Sequence, residues 1–189
     1  LEALEAGFKL SQVFEAVRAV SARTDAAVLV MTYWNPVLQY GVERFAAELK
    51  AAGGAGLITP DLIPDEAGEW LRVSDDLELD RVFLATPSSS QERVTNTCSL
   101  SRGFVYAVST MGITGARAEL DAKARTVVAA VRAAGTPALT CVGIGVSTAE
   151  QVAEINEYAD GAIVGSAFVR AYQADGIQGL IAKVRELRA

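Results

Sequence analysis

Two stretches near the end of the chain decide its fold: CVGIGVS at residues 141–147 and GAIVGSA at residues 161–167. Each is a short apolar strand pattern that runs into glycines and a hydroxyl residue, and a helical pattern follows. This order predicts bare backbone N–H groups and a helix N-terminus at the carboxyl end of a strand, where the helix dipole favours an anion such as phosphate. Two such sites in succession are typical of the phosphate site after strands 7 and 8 of a (β/α)8 barrel.

The rest of the chain alternates between strand and helix patterns in the same way, which indicates a parallel sheet covered by helices. The strand runs are continuously apolar, so we expect strands that are buried on both faces. The six predicted strands are Ala27–Thr32, Gly56–Thr59, Val82–Ala85, Phe104–Val108, Ala138–Val142 and Ala162–Val164.

Helical periodicity fills the segments between these strands. The predicted helices are Gly41–Ala52, Pro64–Ser74, Gln91–Leu100, Asp121–Ala134, Thr148–Tyr158 and Ile177–Arg188. A further long amphipathic helix is predicted over Leu1–Val20, and no strand precedes it. The pattern therefore predicts one α/β domain over residues 1–189, a (β/α) barrel of about six βα units that is incomplete at its N-terminus.

Composition limits the classes of function. The chain has 189 residues, against about 250 for a typical closed barrel of this kind. Seventeen basic and 23 acidic residues give a net charge of −6, which argues against binding to nucleic acid or to an anionic membrane. We find no apolar run long enough to span a bilayer and no leader sequence, so the prediction is a cytoplasmic protein.

The side-chain inventory narrows the chemistry further. The chain has no histidine, which excludes Ser-His-Asp catalysis and histidine-based zinc sites, and we predict no metal site. Its two cysteines, Cys98 and Cys141, are too few for a disulfide framework and are expected to be reduced thiols.

Polar and aromatic residues follow two of the early strands. Asp61 comes after a strand, where a carboxylate is either functional or a local cap that holds the turn. The pair Tyr33 and Trp34 precedes Asn35 at another strand end. These two rings could line an apolar pocket or simply pack in the core, and the sequence leaves both alternatives open.

The segment STMGITGAR at residues 109–117 is long for a connection between a strand and a helix, and no helix is predicted before Asp121. Such a length favours a mobile cover over a small-molecule site rather than an ordinary solvent loop. Gly143, Gly145 and Gly165 could merely allow close packing of strand on helix. Two consecutive glycine turns after this loop favour phosphate binding instead.

Taken in order, LVMTYWNP (29–36), PDL (60–62), FVYAVS (104–109), GITGAR (112–117), GIGVS (143–147) and GSA (165–167) resemble the α subunits of tryptophan synthase, of the actinobacterial kind. The resemblance extends over nearly the whole chain. It implies a (β/α)8 barrel that cleaves indole-3-glycerol phosphate to indole and glyceraldehyde 3-phosphate in a retro-aldol step. It also implies an α2β2 complex with a β subunit that carries pyridoxal phosphate, and no metal or organic cofactor in the α subunit itself.

The same resemblance implies roles for individual residues. The residues around the phosphate would be Gly115, Gly145, Gly165 and Ser166. The residues at the indole end would be Tyr33, Ile58, Leu84 and Tyr106. Thr114 would tie the closed cover to a catalytic aspartate, and Asn35 and Asp61 would lie near the β subunit.

The two catalytic carboxylates of the family, a glutamate in strand 2 and an aspartate in the loop after it, have no counterpart in this sequence. The first helix resembles the helix that follows strand 2, so strands 1 and 2 and both carboxylates are expected upstream of Leu1. Glu2 and Glu5 lie on the wrong element to replace them and are assigned to a solvated helix face. We therefore expect the 189 residues alone to be inactive.

Two interpretations of this gap stay open: part of a longer α subunit, or a true fragment. The first is favoured because six strands cannot close an eight-stranded barrel, and open strand edges promote aggregation. Two other functions are also possible, namely a catalytically silent barrel that binds and regulates a partner subunit, and another phosphate-binding barrel enzyme. A metal-dependent sugar-phosphate epimerase is disfavoured because histidine ligands are lacking.

Overall fold

The computed structural model describes Glu5 and residues 7–108, 117–143 and 145–188. The chain divides into two compact units, which are described separately. The first unit contains Leu1–Phe83 and Leu100–Gly103, and the second contains Leu84–Ser99 and Phe104–Ala189. None of the helices in the described residues has the length and apolar character that a bilayer span needs.

The first unit contains a parallel three-stranded sheet in the order β1-β2-β3. Its strands are β1 (Leu29–Met31), β2 (Gly56–Ile58) and β3 (Asp80–Val82). Its helices are α1 (Ser11–Ser21), α2 (Trp34–Tyr40), α3 (Val42–Ala51) and α4 (Gly68–Asp76), and a short 3-10 turn covers Pro64–Glu66.

The core of the first unit lies between this sheet and its helices. Leu57 is fully buried, and so are Phe45 of α3 and Trp70 of α4. Phe14 of α1 packs edge-on against Phe45, with ring centroids 5.0 Å apart. Gly56 is required where β2 passes β3, because a Cβ there would lie 2.6 Å from the carbonyl carbon of Asp80.

The second unit contains a parallel four-stranded sheet in the order β4-β5-β6-β7. Its strands are β4 (Leu84–Ala85), β5 (Phe104–Val108), β6 (Leu139–Gly143) and β7 (Gly161–Ala162). The associated helices are α5 (Gln91–Leu100), α6 (Arg117–Ala133), α7 (Ala149–Asn156) and α8 (Ser166–Leu187). Helix α8 is broken at Asp175 and Gly176, which have non-helical backbone angles.

The two faces of the second sheet differ. Val105, Ala107 and Val142 point to the helices and are fully buried. On the opposite face, Tyr106 lies between its neighbours Leu84 and Cys141 in adjacent strands, and all three side chains are only half-buried. The prediction of strands buried on both faces is therefore wrong for β5 and β6, since burial alternates along both.

Parallel strands alternating with helices confirm the predicted α/β class. The predicted strand Val82–Ala85 is corrected, because β3 ends at Val82, β4 begins at Leu84, and the two belong to different sheets. The chain therefore passes from the first sheet to the second at Phe83. This residue is buried and apolar, so the sequence gives no sign that a strand ends there.

Several helix boundaries also differ from the predictions. The long helix over Leu1–Val20 is wrong, since α1 begins only at Ser11 and Gly7 before it has a positive φ of 77°. Helix α6 begins at Arg117, four residues before the predicted start at Asp121. The predicted helix from Ile177 is the second half of α8.

Candidate functional site

The two glycine turns of the second unit follow neighbouring strands. Val142 of β6 is paired with Ala162 of β7, and the N–H of Ile163 donates to the carbonyl of Val142 at 2.8 Å. Parallel neighbours end at the same edge of a sheet, so the turns that contain Gly145 and Gly165 emerge side by side. A cavity of about 380 Å³ is lined by Ser147 of the first turn and by four residues of α8: Ala167, Arg170, Ala171 and Lys183.

The second turn leads into a helix whose N-cap residue has no side chain to cap it. Gly165 is the N-cap residue of α8, and its carbonyl accepts from the N–H groups of Phe168 at 3.0 Å and Val169 at 3.2 Å. The N–H groups of Ser166 and Ala167 are too early in the helix to have an intrahelical acceptor. A Cβ on Gly165 would meet no atom of the described residues within 4 Å, and a helix N-terminus of this kind is suited to binding an anion.

The first turn is different, because the helix after it caps itself. Thr148 and Gln151 form a reciprocal capping box at the start of α7. The side chain of Gln151 also accepts from the N–H of Ser147 at 2.6 Å. Gly145 has a φ of 71°, which glycine adopts without strain. The first turn can therefore contribute backbone to an anion site, but the open helix dipole comes from α8 alone.

Leu84 and Tyr106 lie together on the half-buried face of the second sheet. They are direct neighbours on β4 and β5, so their side chains are close enough to contact one another. Burial raises the pKa of the Tyr106 phenol, so the side chain is neutral at physiological pH. Its ring lies across Gly143, where a Cβ would come within 2.5 Å of the ring carbon Cε2.

The two other residues predicted at the indole end belong to the first unit. Ile58 is paired with Met31, and its carbonyl accepts from the N–H of Thr32 at 3.1 Å. Tyr33 is 67% exposed, whereas Trp34 packs on Trp70 with ring centroids 6.4 Å apart. Of the aromatic pair, Trp34 is thus a packing residue and Tyr33 presents its ring to solvent in this unit.

Asp61 has a local structural role in the first unit. Both carboxylate oxygens accept from the N–H of Trp34, at 2.9 and 3.0 Å. A carboxylate at the start of a helix satisfies a free N–H and complements the helix dipole, so Asp61 caps α2. The side chains of Asp61 and of Asn35, in the first turn of α2, remain exposed.

The predicted site residues Thr114 and Gly115 lie outside the described residues. One residue that the sequence patterns did not single out contacts the candidate site. Lys183 of α8 donates from Nζ to the carbonyl of Ser147 at 3.2 Å. The only sequence signal for it is a lysine on the last helix, which is a common surface residue.

Parallel α/β sheets whose last two strands end in glycine turns are typical of the (β/α) barrel class, in which phosphate sites are frequently built at this place. Comparison with known proteins gives the particular family. Residues 1–188 match the tryptophan synthase alpha chain family, and the chain belongs to it.

Curated relatives agree with this assignment. The chain is 61% identical over 175 residues to the tryptophan synthase alpha chain of Leifsonia xyli subsp. xyli, covering 93% of this chain and 67% of that protein. It is 54% identical over 187 residues to that of Mycobacterium marinum, covering 99% of this chain and 68% of the relative. The chain thus spans about two thirds of the length of the curated relatives it matches.

Solved structures show the same fold. Tryptophan synthase of Mycobacterium tuberculosis superimposes with a TM-score of 0.90 at 51% identity, covering 98% of this chain and 70% of that one. The tryptophan synthase A-subunit of Pyrococcus furiosus gives a TM-score of 0.87 at 32% identity, covering 98% and 76%. These matches confirm the predicted fold class and the predicted family.

Proposed function

We propose that this chain supplies the substrate-binding part of a tryptophan synthase α subunit, which cleaves indole-3-glycerol phosphate to indole and glyceraldehyde 3-phosphate in tryptophan biosynthesis. The observation that carries the proposal is the family match over residues 1–188. The open N-terminus of α8 beside the Gly145 turn supports it, because the substrate has a phosphate group.

The reaction sets requirements that the site has to meet. Indole is a poor carbanion leaving group, so the ring carbon that bears the side chain must be protonated while a base removes a proton from a hydroxyl of the glycerol phosphate. A general acid, a general base and a group that stabilises charge at the indole nitrogen are needed. The two carboxylates that would do this work stay predicted upstream of Leu1.

The residues at the two glycine turns would hold the phosphate. The N–H groups of Ser166 and Ala167, the Ser166 hydroxyl and the backbone at Gly145 and Gly165 would donate to its oxygens. This binding is remote from the bond that breaks, so it would orient the substrate without taking part in proton transfer. Gly115 would complete the phosphate site, and Thr114 would hold the cover closed.

The half-buried face of the second sheet would receive the indole ring. Leu84 and Tyr106 supply adjacent apolar surface, and the Tyr106 phenol has a raised pKa and stays neutral. An aromatic ligand that covers such surface binds more favourably, because apolar area is removed from water. Ile58 and Tyr33 are proposed as the remaining contacts of the indole.

We further propose a cytoplasmic α2β2 complex with a tryptophan synthase β subunit that carries pyridoxal phosphate, while this chain itself needs no cofactor. The β subunit would bind near Asn35 and Asp61. The exposure of both side chains supports this location, since interface residues must be accessible before assembly.

The test is turnover of indole-3-glycerol phosphate by the full-length subunit, measured as indole release. We expect turnover, and competitive inhibition by indole-propanol phosphate. Folded full-length protein that neither turns over the substrate nor binds this mimic would support a silent regulatory barrel or another phosphate-binding barrel enzyme. Indole release by the 189 residues alone would contradict the assignment of both carboxylates to an upstream segment.

A further inference from the structure

The last helix folds back on itself beside the phosphate site. Its break at Asp175 and Gly176 separates two helical halves. A Cβ on Gly179, in the second half, would lie 3.3 Å from the carbonyl carbon of Ala171 and would overlap its oxygen. Only glycine permits so close an approach, so the second half of α8 packs closely along the first.

This packing brings Lys183 next to the N-terminus of α8. Lys183 is one helical turn beyond Gly179, and it lines the cavity of about 380 Å³ together with Ala167 and Ala171. Its side chain is 24% exposed, and Nζ lies 2.7 Å from each carboxylate oxygen of Glu186. The ammonium group is therefore held at one position instead of moving freely in solvent.

From that position Lys183 reaches the other glycine turn. Its Nζ donates to the carbonyl of Ser147 at 3.2 Å, across 36 residues of sequence. On its other side, Ser147 is held by Gln151 of α7, which accepts from the Ser147 N–H at 2.6 Å. Ser147 in the turn that begins at Gly145 is thus hydrogen-bonded to two helices, and the bond to α8 comes from the Lys183 side chain.

We propose that Lys183 is a positioning residue for phosphate binding, because it holds the Gly145–Ser147 turn in register with the open N-terminus of α8. This inference rests on the proposed function. Lys183 does not need to touch the substrate. It fixes the separation between the two groups of backbone donors, and a phosphate that must accept from both binds well only at the correct separation.

The test uses the full-length subunit with glycerol 3-phosphate as a probe for the phosphate site and with indole-3-glycerol phosphate as substrate. Lys183→Met keeps the stem of the side chain and removes the donor. A charge-assisted bond of this kind corresponds to a loss of about tenfold in affinity. We expect Kd for glycerol 3-phosphate and KM for the substrate to rise by about that factor, with kcat within about twofold.

Three comparisons distinguish positioning from general damage. The affinity for indole alone, which has no phosphate, should be unchanged in Lys183→Met. A destabilised fold would instead lower the affinity for both indole and glycerol 3-phosphate. Lys183→Arg, which can still donate to Ser147, should recover part of the affinity. Arg185→Met is the matched control, since it removes an exposed cation from the same helix that is not among the residues lining the cavity, and it should bind glycerol 3-phosphate like the unmodified subunit.

The possible outcomes separate this inference from the proposed function. If Lys183→Met binds glycerol 3-phosphate as tightly as the unmodified subunit, or if Arg185→Met loses as much affinity, the positioning role is wrong. If the unmodified subunit binds neither glycerol 3-phosphate nor the substrate, the proposed function itself is wrong. Circular dichroism at the assay temperature shows whether each variant is folded. If Lys183→Met is unfolded, the affinity of Lys183→Arg for glycerol 3-phosphate tests the positioning role instead.

Discussion

The two sheets of this chain are built alike, but they end differently. In the first unit, the carboxyl end of β2 is followed by Asp61, whose carboxylate is occupied by the N–H of Trp34 at the start of α2. In the second unit, the carboxyl end of β7 is followed by Gly165, an N-cap residue that has no side chain to cap α8. The N-terminus of α2 is therefore capped by a side chain of its own unit, whereas the N-cap residue of α8 provides no such cap.

The difference has a simple physical origin. A helix N-terminus has N–H groups that need acceptors, and the chain can provide one or leave the task to a ligand or to water. Capping by Asp61 adds stability and removes the site. Helix α8 lacks the stabilisation that such a cap provides. A bound phosphate would stabilise this helix in place of a cap.

The comparison is tested most strongly by closing the open end. Gly165→Asp places a carboxylate at the N-cap of α8, where it would cap the helix and repel a phosphate. We expect a stable fold, because a Cβ at Gly165 meets no atom within 4 Å in the part of the chain that the structure describes. Affinity for glycerol 3-phosphate should fall by about a hundredfold, as measured by calorimetry on the full-length subunit.

The matched control makes the same change in the other unit. Gly68 begins α4, and a Cβ there also meets no atom of the described residues within 4 Å. Gly68→Asp should leave phosphate affinity unchanged. Equal losses in the two variants would show that added charge, rather than occupation of the α8 N-terminus, weakens binding.

The second test concerns the surface beside the open end. Gly143→Ala would push a methyl group into the ring of Tyr106, at a cost of about 1–3 kcal/mol in the free energy of unfolding. The displaced ring should weaken the binding of indole more than that of glycerol 3-phosphate. Both affinities can be measured by titration.

Gly161→Ala is the control for this change, since its Cβ would lie 3.3 Å from the sulfur of Cys141, a contact that a small shift relieves. We expect little change in either affinity. If Gly143→Ala binds indole normally, Tyr106 is not part of the indole site.

The third test opens the closed end. Asp61→Ala leaves the N–H of Trp34 without its acceptor and should lower the free energy of unfolding by about 1 kcal/mol, measured by urea denaturation. Phosphate affinity should not change. Asp61→Asn retains an acceptor oxygen and should lose less stability; an equal loss would argue that the charge, and not the hydrogen bond, stabilises α2.

The smallest expected effect is a pH dependence in the first unit. The Asp75 carboxylate accepts hydrogen bonds from Arg81 at 2.6 Å and from Arg102 at 2.5 Å. These guanidinium groups hold the pKa of the Asp75 carboxyl below its ordinary value of 3.8, and the hydrogen bond from Arg81 has the largest effect. A pKa lowered on folding stabilises the protein above the ordinary value, and the contribution is lost as the pH falls through the folded value.

Asp75→Asn should therefore lower the urea midpoint slightly at neutral pH and reduce its decline between about pH 5 and pH 3. Asp76→Asn is the control, because the neighbouring Asp76 is exposed and its oxygen lies 3.5 Å from the nearest guanidinium nitrogen of Arg72. If the urea midpoints of both variants decline at acidic pH as that of the unmodified protein does, the Asp75 cluster makes no measurable contribution to stability.

The sequence was sufficient for the features that local patterns encode. The glycine turns at Gly145 and Gly165 were predicted because apolar runs, glycines and helix signals occur within a few residues of one another. Leu84 and Tyr106 were named from the family resemblance, and the parallel register of β4 and β5 places them side by side. The strand between Val82 and Ala85 was misjudged because its apolar pattern continues through the point where the sheets change.

Contacts between distant residues could not be predicted in this way. The cap on α2 joins Asp61 to Trp34 across 27 residues, and no periodicity reports such a bond. Helix α2 itself was missed because Pro36 is a helix breaker in most positions, although a proline in the first turn lacks no needed donor. Lys183 acquires its contact with Ser147 only through the fold of α8.

The break in α8 has one more consequence, for tolerance to insertions and deletions. Each residue of a helix advances by about 100° around its axis, so adding or removing one residue between Gly179 and Lys183 would rotate the lysine away from Ser147. Evolution can exchange most exposed side chains in this segment freely, but its length is fixed by helical phase. Among natural variants of this chain, we expect substitutions there to be common and single-residue gaps to be rare.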